Sequence, residues 1–189
     1  MRILASIILL SLLGACAVAT KINSGDVAVG DRLQLKVDGA WNQVTAPALD
    51  PAQAWTMEGL PIDQLLIWSG VKDGEAIHPS GASGKTFNFR AGMQPDEIVA
   101  LFEGALTRDG STFKLAKLEP SSFGGGKGLR FEYSVVRKVD SVQISGVGFA
   151  TVDGGELFAM IYNAPRLEFF ARQSGRVEEI ARSAKVKAR

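Results

Sequence analysis

The chain has 189 residues, a formal net charge of +1 and hydrophobic residues at 46% of its positions. This length and composition are typical of one globular domain with a sizeable core. The single cysteine excludes a framework of intrachain disulfides, so the core must stabilise the fold. The near-neutral charge argues against electrostatic capture of nucleic acid, which needs clustered basic residues. We therefore expect no nucleic-acid partner.

Residues 1–15 have the features of a signal peptide. Arg2 supplies a positive charge, and residues 3–13 form a largely apolar run of eleven residues. A transmembrane helix needs about 20 apolar residues, so this run is too short to remain in a membrane. The run ends in Leu13-Gly14-Ala15, and the only cysteine, Cys16, follows directly.

This order of an apolar run, small residues and one cysteine resembles the lipobox of bacterial lipoprotein precursors. The resemblance implies diacylglycerol transfer to the Cys16 sulfur, cleavage after Ala15, and acylation of the new amino group, as with palmitate. Two or more lipid chains bind stably, so the partner expected for acylated Cys16 is a lipid bilayer. Ala17, where an aspartate would retain a lipoprotein at the inner membrane, implies the periplasmic face of the outer membrane. The alternative is an ordinary secretory signal that contains a cysteine.

The mature chain is expected to begin with a short tether. Loss of residues 1–15 leaves 174 residues with 20 basic and 20 acidic side chains, because Arg2 is removed. Residues 16–25 are small or polar and predict a lipidated cysteine with a flexible link. The nine residues after Cys16 would reach roughly 15–18 Å. Residues 26–189 predict a single α+β domain held close to the bilayer.

The first half of this domain carries strand signals. Apolar residues alternate with polar ones over residues 33–37, and the Asp38-Gly39 pair separates them from residues 40–42. An Asp-Gly pair between such runs predicts a β-hairpin. Residues 64–69 and 86–90 predict two further strands.

Two segments have the apolar spacing of helices. The first begins at Gln94-Pro95-Asp96-Glu97, where proline and acidic residues suit a helix start. One apolar stripe follows it, formed by Ile98, Leu101, Phe102, Ala105 and Leu106. The second segment opens at Pro165, with Leu167 and Phe170 as anchors and a bend at Gly175. Its later stripe consists of Val177, Ile180, Ala181 and Ala184.

A meander of strands lies between the two helical segments. Strands are predicted over residues 113–118, 129–135, 142–152 and 156–162, with a glycine-rich loop over 121–128. The short turn at residues 153–155 requires antiparallel pairing. The predicted fold class is therefore α+β, with an antiparallel sheet, made of the hairpin and the C-terminal meander, covered by two helical segments.

This order of elements resembles the PsbP/Mog1-like fold, a compact α/β/α domain. The resemblance rests on the helix at residues 95–106, the strands from 129 to 162 and the closing helix at 165–184. It implies a binding or assembly factor more than an enzyme. No functional residue carries over, because the shared pattern contains no diagnostic motif.

Sequence motifs for chemistry are weak. Gly84-Lys85-Thr86 resembles the end of a phosphate-binding loop, but Pro79 occupies the first glycine position and a predicted strand follows. His78 is the only histidine, lies in a loop and has no cysteine or second histidine for catalysis or zinc. We expect His78 to be exposed. The predicted catalytic, cofactor-binding and metal sites are therefore none, and Cys16 is the one predicted site residue.

Two further groups of residues have a structural and a functional interpretation. Trp41, Trp55 and Trp68 are predicted core residues, with ligand platforms as the alternative. The basic C-terminus predicts a solvated helix face, with contact to anionic lipid head groups as the alternative. It comprises Arg172, Arg176, Arg182, Lys185, Lys187 and Arg189.

The leading functional hypothesis is a non-enzymatic binding or assembly module in the bacterial envelope, with an envelope protein or component as partner. A carboxylate-based hydrolase or transferase is the first alternative, and perturbed acidic residues in one pocket would favour it. A carrier of a small apolar ligand is the second alternative, and a large dry cavity would favour it.

Overall fold

The computed structural model describes residues 19–80 and 84–188. The predicted signal peptide, Cys16 and Ala17 lie outside these residues. The strands are β1 (Ala19–Ile22), β2 (Gly25–Val29), β3 (Leu33–Val37), β4 (Trp41–Val44), β5 (Gln53–Thr56), β6 (Gln64–Lys72), β7 (Thr112–Phe123), β8 (Gly126–Val136), β9 (Gln143–Asp153), β10 (Glu156–Pro165) and β11 (Lys185–Val186). The α-helices are α1 (Pro95–Leu106) and α2 (Ala171–Ser183), and a π-helical turn, Arg166–Phe170, leads into α2.

The strands form two antiparallel sheets. The large sheet has the order β1-β4-β5-β6-β10-β9-β8-β7, and the small sheet has the order β11-β3-β2. The α+β class with an antiparallel sheet and two helices is confirmed. The predicted hairpin at Asp38-Gly39 is wrong, because β3 pairs with β2 and β11 while β4 pairs with β1 and β5. Positive φ angles at Gly39 (+89°) and Ala40 (+66°) turn the chain from one sheet to the other.

Helix α1 covers one face of the large sheet. Gln94 and Glu97 form a capping box at its start, and the predicted stripe of Ile98, Leu101 and Phe102 is buried. The Phe102 ring lies 5.1 Å from that of Trp68 on β6 and 6.0 Å from that of Phe131 on β8. Aromatic contacts thus join α1 to the middle of the sheet.

Helix α2 and the small sheet cover the opposite face. Val177 and Ile180 of α2 are buried together with Trp41 and Trp55 of the large sheet. The prediction that the three tryptophans are core residues is confirmed. Leu167, predicted to anchor the helix, is 96% exposed, because the π-helical turn directs it into solvent.

Two other sequence expectations change on this side of the structure. Helix α2 continues through Gly175 without the predicted bend. The glycine-rich segment is a tight hairpin between β7 and β8, where positive φ angles at Gly124 (+71°) and Gly125 (+84°) close the turn. Strand β7 is therefore twice as long as the predicted strand over residues 113–118.

Two glycines of β9 make room for aromatic rings of the neighbouring strand. Gly148 is paired with Phe131, and Gly146 is paired with Tyr133. A Cβ atom on either glycine would lie well inside 3.0 Å of the facing ring. The rings therefore lie flat across the glycine backbone and extend the aromatic contacts of the α1 face.

The two edges of the large sheet differ. One edge is β1, which has four residues and pairs with β4 along its whole length. The predicted tether of residues 16–25 overlaps this strand, so the fold extends further towards Cys16 than the sequence indicated. The other edge is the 12-residue β7, which carries exposed Lys114 and Lys117, an irregularity between Leu115 and Lys117, and Pro120.

Candidate functional site

The best candidate site is a groove beneath the C-terminal end of α1, which we call the α1 groove. It consists of a first cavity of about 140 Å³ and a second cavity of about 250 Å³. Gln64, Leu106 and Asp109 line both cavities, so the two are adjacent. Strands β6 and β10 form the floor, and the segment that follows α1 forms one wall.

The floor of the first cavity is a row of residues from four neighbouring strands. Gln64 of β6 pairs with Asn163 of β10, which pairs with Gly146 of β9, which pairs with Tyr133 of β8. Because Gly146 has no side chain, the Tyr133 ring lies across it. This brings the Tyr133 and Asn163 side chains together in the lining of one cavity.

The polar ends of Tyr133 and Asn163 lie beside each other and have no other protein partner within the described residues. The Tyr133 side chain is 3% exposed, and its hydroxyl meets no partner at hydrogen-bond geometry. The same holds for Nδ2 of Asn163, whereas Nε2 of Gln64 donates to the Leu60 carbonyl at 2.9 Å. Burial raises the pKa of Tyr133, and the nearby Asn163 side chain offsets only part of this rise. Tyr133 is therefore a neutral hydroxyl that can donate a hydrogen bond.

The second cavity contains His78 and Arg108. His78 is 7% exposed, so the prediction of an exposed loop histidine is wrong. The Arg108 guanidinium contacts the His78 ring, and the ring nitrogen Nδ1 lies 3.1 Å from the Pro79 carbonyl oxygen. Burial lowers the pKa of His78, the Pro79 carbonyl opposes this, and the charge of Arg108 lowers the pKa further. These shifts favour the neutral imidazole, and Nη1 of Arg108 contacts both of its ring nitrogens.

Asp109 lies beside Arg108 and interacts with its charge without forming a close ion pair. Its carboxylate accepts hydrogen bonds from the backbone N–H and the hydroxyl of Ser111, both at 2.9 Å. Burial raises the pKa of Asp109, but the Ser111 hydrogen bonds, its own backbone N–H and the charge of Arg108 together lower it more, so the carboxylate stays ionised. Within residues 19–80 and 84–188, Arg108 forms no ion pair, and burial lowers its pKa.

The fold that carries this groove has known counterparts. No family model matches the chain, and no curated protein matches its sequence. The solution structure of cyanobacterial PsbP (CyanoP) from Synechocystis sp. PCC 6803 matches with a TM-score of 0.51 and 15% sequence identity. The match covers 92% of this chain and 98% of that chain. The chain has a PsbP-like fold.

The crystal structure of LpqN, involved in cell envelope biogenesis of Mycobacterium tuberculosis, is also similar. It covers 90% of this chain and 92% of that chain at 13% identity, with a TM-score of 0.40. That score is too low to support an argument about this chain. The comparison with CyanoP establishes the PsbP-like fold alone, as expected from the order of helices and strands.

Other sequence-predicted positions of the PsbP-like domain lie away from the groove. The Lys85 ammonium lies over the Phe87 ring, 5.4 Å from its centroid. The predicted strand over residues 86–90 is only a single β-bridge, from Asn88 to Ala76. No helix begins at Thr86, where a phosphate-binding loop would open one. The interpretation of this segment as a surface turn fits that geometry better than phosphate binding. No group of metal-ligating side chains occurs within the described part of the chain.

The basic C-terminal helix face is partly paired. Arg172 forms ion pairs with Glu58 and Glu168, and Arg176 forms one with Asp38 at 2.5 Å. Arg189 lies outside the described residues. No helix in the described ranges is both long and apolar enough to span a bilayer.

Sequence reasoning missed the residues that form the groove. Asp109 caps the turn after α1 through its hydrogen bonds with Ser111, and no sequence signal marked its place beside Arg108 in a cavity. Tyr133 was placed correctly in a strand. Its contact with Asn163 depends on strand register and on Gly146, and a glycine within a strand is the one sequence feature that could have marked a close approach.

Proposed function

We propose that the chain is a bacterial envelope lipoprotein that is anchored through acylated Cys16 and displays a non-enzymatic binding module. The order Leu13-Gly14-Ala15-Cys16 supports the anchor. Strand β1 begins at Ala19, three residues after Cys16. Three extended residues span at most about 10–11 Å. The anchored module would therefore hold β1 next to the bilayer surface.

The observation that carries the binding role is the pair of unpartnered polar groups in the α1 groove. The Tyr133 hydroxyl and Asn163 Nδ2 are buried and form no hydrogen bond in the described chain. A buried polar group without a partner typically costs about 1–3 kcal/mol. A ligand that supplies acceptor atoms would recover this free energy, and a groove with apolar walls and a few such groups is the usual form of a binding site.

The groove favours this role over the two alternatives. A carboxylate-based hydrolase needs an acidic group that holds a proton, but hydrogen bonds lower the pKa of Asp109, the acidic residue that lines the groove. A carrier of an apolar ligand needs a large apolar cavity. Taken separately, the cavities of about 140 and 250 Å³ are each below the usual range of about 300–1,000 Å³, and polar side chains contribute to the lining of both.

The anchor is tested by Cys16→Ser in the full-length precursor. A hydroxyl cannot form the thioether to diacylglycerol, so this variant should lose incorporation of an alkyne-labelled fatty acid and leave the detergent phase in Triton X-114 partitioning. Ala17→Ser, which keeps the cysteine and places the same hydroxyl beside it, is the matched control and should behave as wild type. Equal labelling of the wild type and Cys16→Ser would overturn the proposed anchor.

We also propose the periplasmic face of the outer membrane as the location, supported by Ala17. In a diderm host, Ala17→Asp should move the protein to the inner-membrane fraction of a sucrose gradient. The acylated cysteine is unchanged in this variant, so fatty-acid labelling should persist. Recovery of the wild type with the inner membrane would contradict the proposed location and leave the anchor intact.

A further inference from the structure

We propose that the second cavity of the α1 groove binds a small monocarboxylate, with the Arg108 guanidinium on the carboxylate and the cavity floor against the apolar body. This inference rests on the proposed binding role of the groove, and it is independent of the lipid anchor. Three observations carry it: a cation without an ion pair in the described residues, a neutral histidine behind it, and an apolar floor.

The unpaired cation is Arg108. It follows α1 directly and extends into a cavity of about 250 Å³. The adjacent carboxylate, Asp109, is held by two hydrogen bonds from Ser111. Throughout the described residues no other carboxylate lies within ion-pair distance of Arg108. A guanidinium in a partly desolvated site is attracted to a carboxylate, whose two oxygens match its planar fork of donors.

His78 fixes the position of this guanidinium. Its ring is buried, lies within hydrogen-bond distance of the Pro79 carbonyl, and is contacted at both nitrogens by Nη1 of Arg108. The Nε and Nη2 groups of Arg108 donate to no acceptor in the described parts of the chain. The edge of the guanidinium that carries these two groups can therefore donate hydrogen bonds to a ligand. Because the imidazole is neutral, it adds no second charge to the site.

The floor of the cavity is apolar. It consists of side chains that are all buried in the α1-side core: Leu66, Trp68, Phe102 and Ile161. The indole Nε1 of Trp68 already donates to the Ile77 carbonyl at 2.8 Å, so the ring presents only its carbon surface. An apolar floor strengthens the interaction of a charge pair at its rim, because the local dielectric is low.

The charge of the site favours a monoanion over a phosphate. One guanidinium faces a neutral imidazole, and the ionised Asp109 lies next to it in sequence. Asp109 would repel a dianion, and the single positive charge of Arg108 would neutralise only one of its two negative charges. The first cavity adjoins the second, and the polar residues Tyr133 and Asn163 line it. An acceptor group at the distal end of the carboxylate ligand would therefore bind more tightly than a plain alkyl chain.

The test is calorimetric titration of the full-length protein in detergent with hexanoate, hexanamide and pentylphosphonate. Hexanoate should bind, and the neutral amide and the phosphonate should each bind at least about tenfold more weakly. Arg108→Gln should weaken hexanoate binding by at least about tenfold. Arg182→Gln removes an exposed arginine of α2 and is the matched control; it should bind as wild type.

Failure of this inference differs from failure of the binding role. If a neutral or phosphonate ligand binds as tightly as hexanoate and is lost in Tyr133→Phe but not in Arg108→Gln, the groove is a binding site but the carboxylate assignment is wrong. Failure of all three probes and of 5-oxohexanoate, which adds a distal acceptor, would overturn the carboxylate site and the groove as a binding site together. Melting temperatures of each variant show that loss of binding is not loss of folding.

Discussion

The close contact between Gly148 and Phe131 gives the sharpest prediction about the sheet. A Cβ on Gly148 would overlap the Phe131 ring, which is fully buried and packs on Phe102 and Tyr133. Because aromatic neighbours confine the ring, it cannot move aside without disturbing α1. Overpacking of this kind costs about 1–3 kcal/mol. Alanine also restricts the unfolded chain and recovers about 0.4–1 kcal/mol.

The expected net loss for Gly148→Ala is therefore about 1–2 kcal/mol. For a domain of this size it corresponds to a fall in melting temperature of about 2–8 °C. Circular dichroism thermal melts and urea titrations of the two proteins measure both quantities. The size of the loss depends on the Phe131 ring. The double variant Gly148→Ala with Phe131→Leu, in which the facing side chain is smaller, should therefore lose less stability than the sum of the two single variants.

Gly175→Ala is the matched control for this substitution. Gly175 lies within α2, has a helical φ, and a Cβ there would meet no atom within 4 Å. The variant should gain about 1 kcal/mol from helix propensity. If Gly148→Ala gained as much as Gly175→Ala, the flat placement of the Phe131 ring across β9 would be refuted.

Two further predictions concern α1 and the histidine. Phe102→Ala should lower the free energy of unfolding by about 3–5 kcal/mol, because Phe102 is 1% exposed, whereas exposed Glu103→Ala should change thermal melts little. Burial lowers the folded-state pKa of His78 below its unfolded value of 6.5, so the unfolded chain binds more protons between the two values. Stability should thus be complete above about pH 6.5 and fall below it, by at most about 1.4 kcal/mol per pH unit. His78→Gln should flatten this slope in urea titrations at several pH values, and an unchanged slope would contradict the lowered pKa.

The sequence predicted correctly those helices and strands whose apolar pattern lies within a few neighbouring residues. The stripe on α1 and the alternation in β8 depend on residues a few positions apart, and both were confirmed. The pairing of β3 and β4 was wrong because Asp38-Gly39 permits a sharp turn without determining which strands lie on either side. The large sheet pairs β6 with β10, which are separated by the 83 residues 73–155, and no local pattern encodes that choice.

The α1 groove was not predictable for the same reason. Its polar row joins residues 64, 133, 146 and 163, which meet only when the register of four strands is set. A slip of one residue in any strand would turn its member of the row to the other face. The proline-, serine- and glycine-rich segment around His78 predicted an exposed side chain. Its burial beside Arg108 depends instead on where α1 ends.

The unequal edges of the large sheet have a consequence for many copies of this protein on one membrane. Lipid anchoring would confine the copies to a plane and raise the frequency of lateral collisions. An exposed sheet edge invites strand pairing between neighbours, which leads to aggregation. Here one edge is only four residues long, and the longer β7 is interrupted by an irregular register, charged lysines and a proline. Many copies of the domain can therefore lie close together on a membrane without the large sheets of neighbouring copies pairing edge to edge.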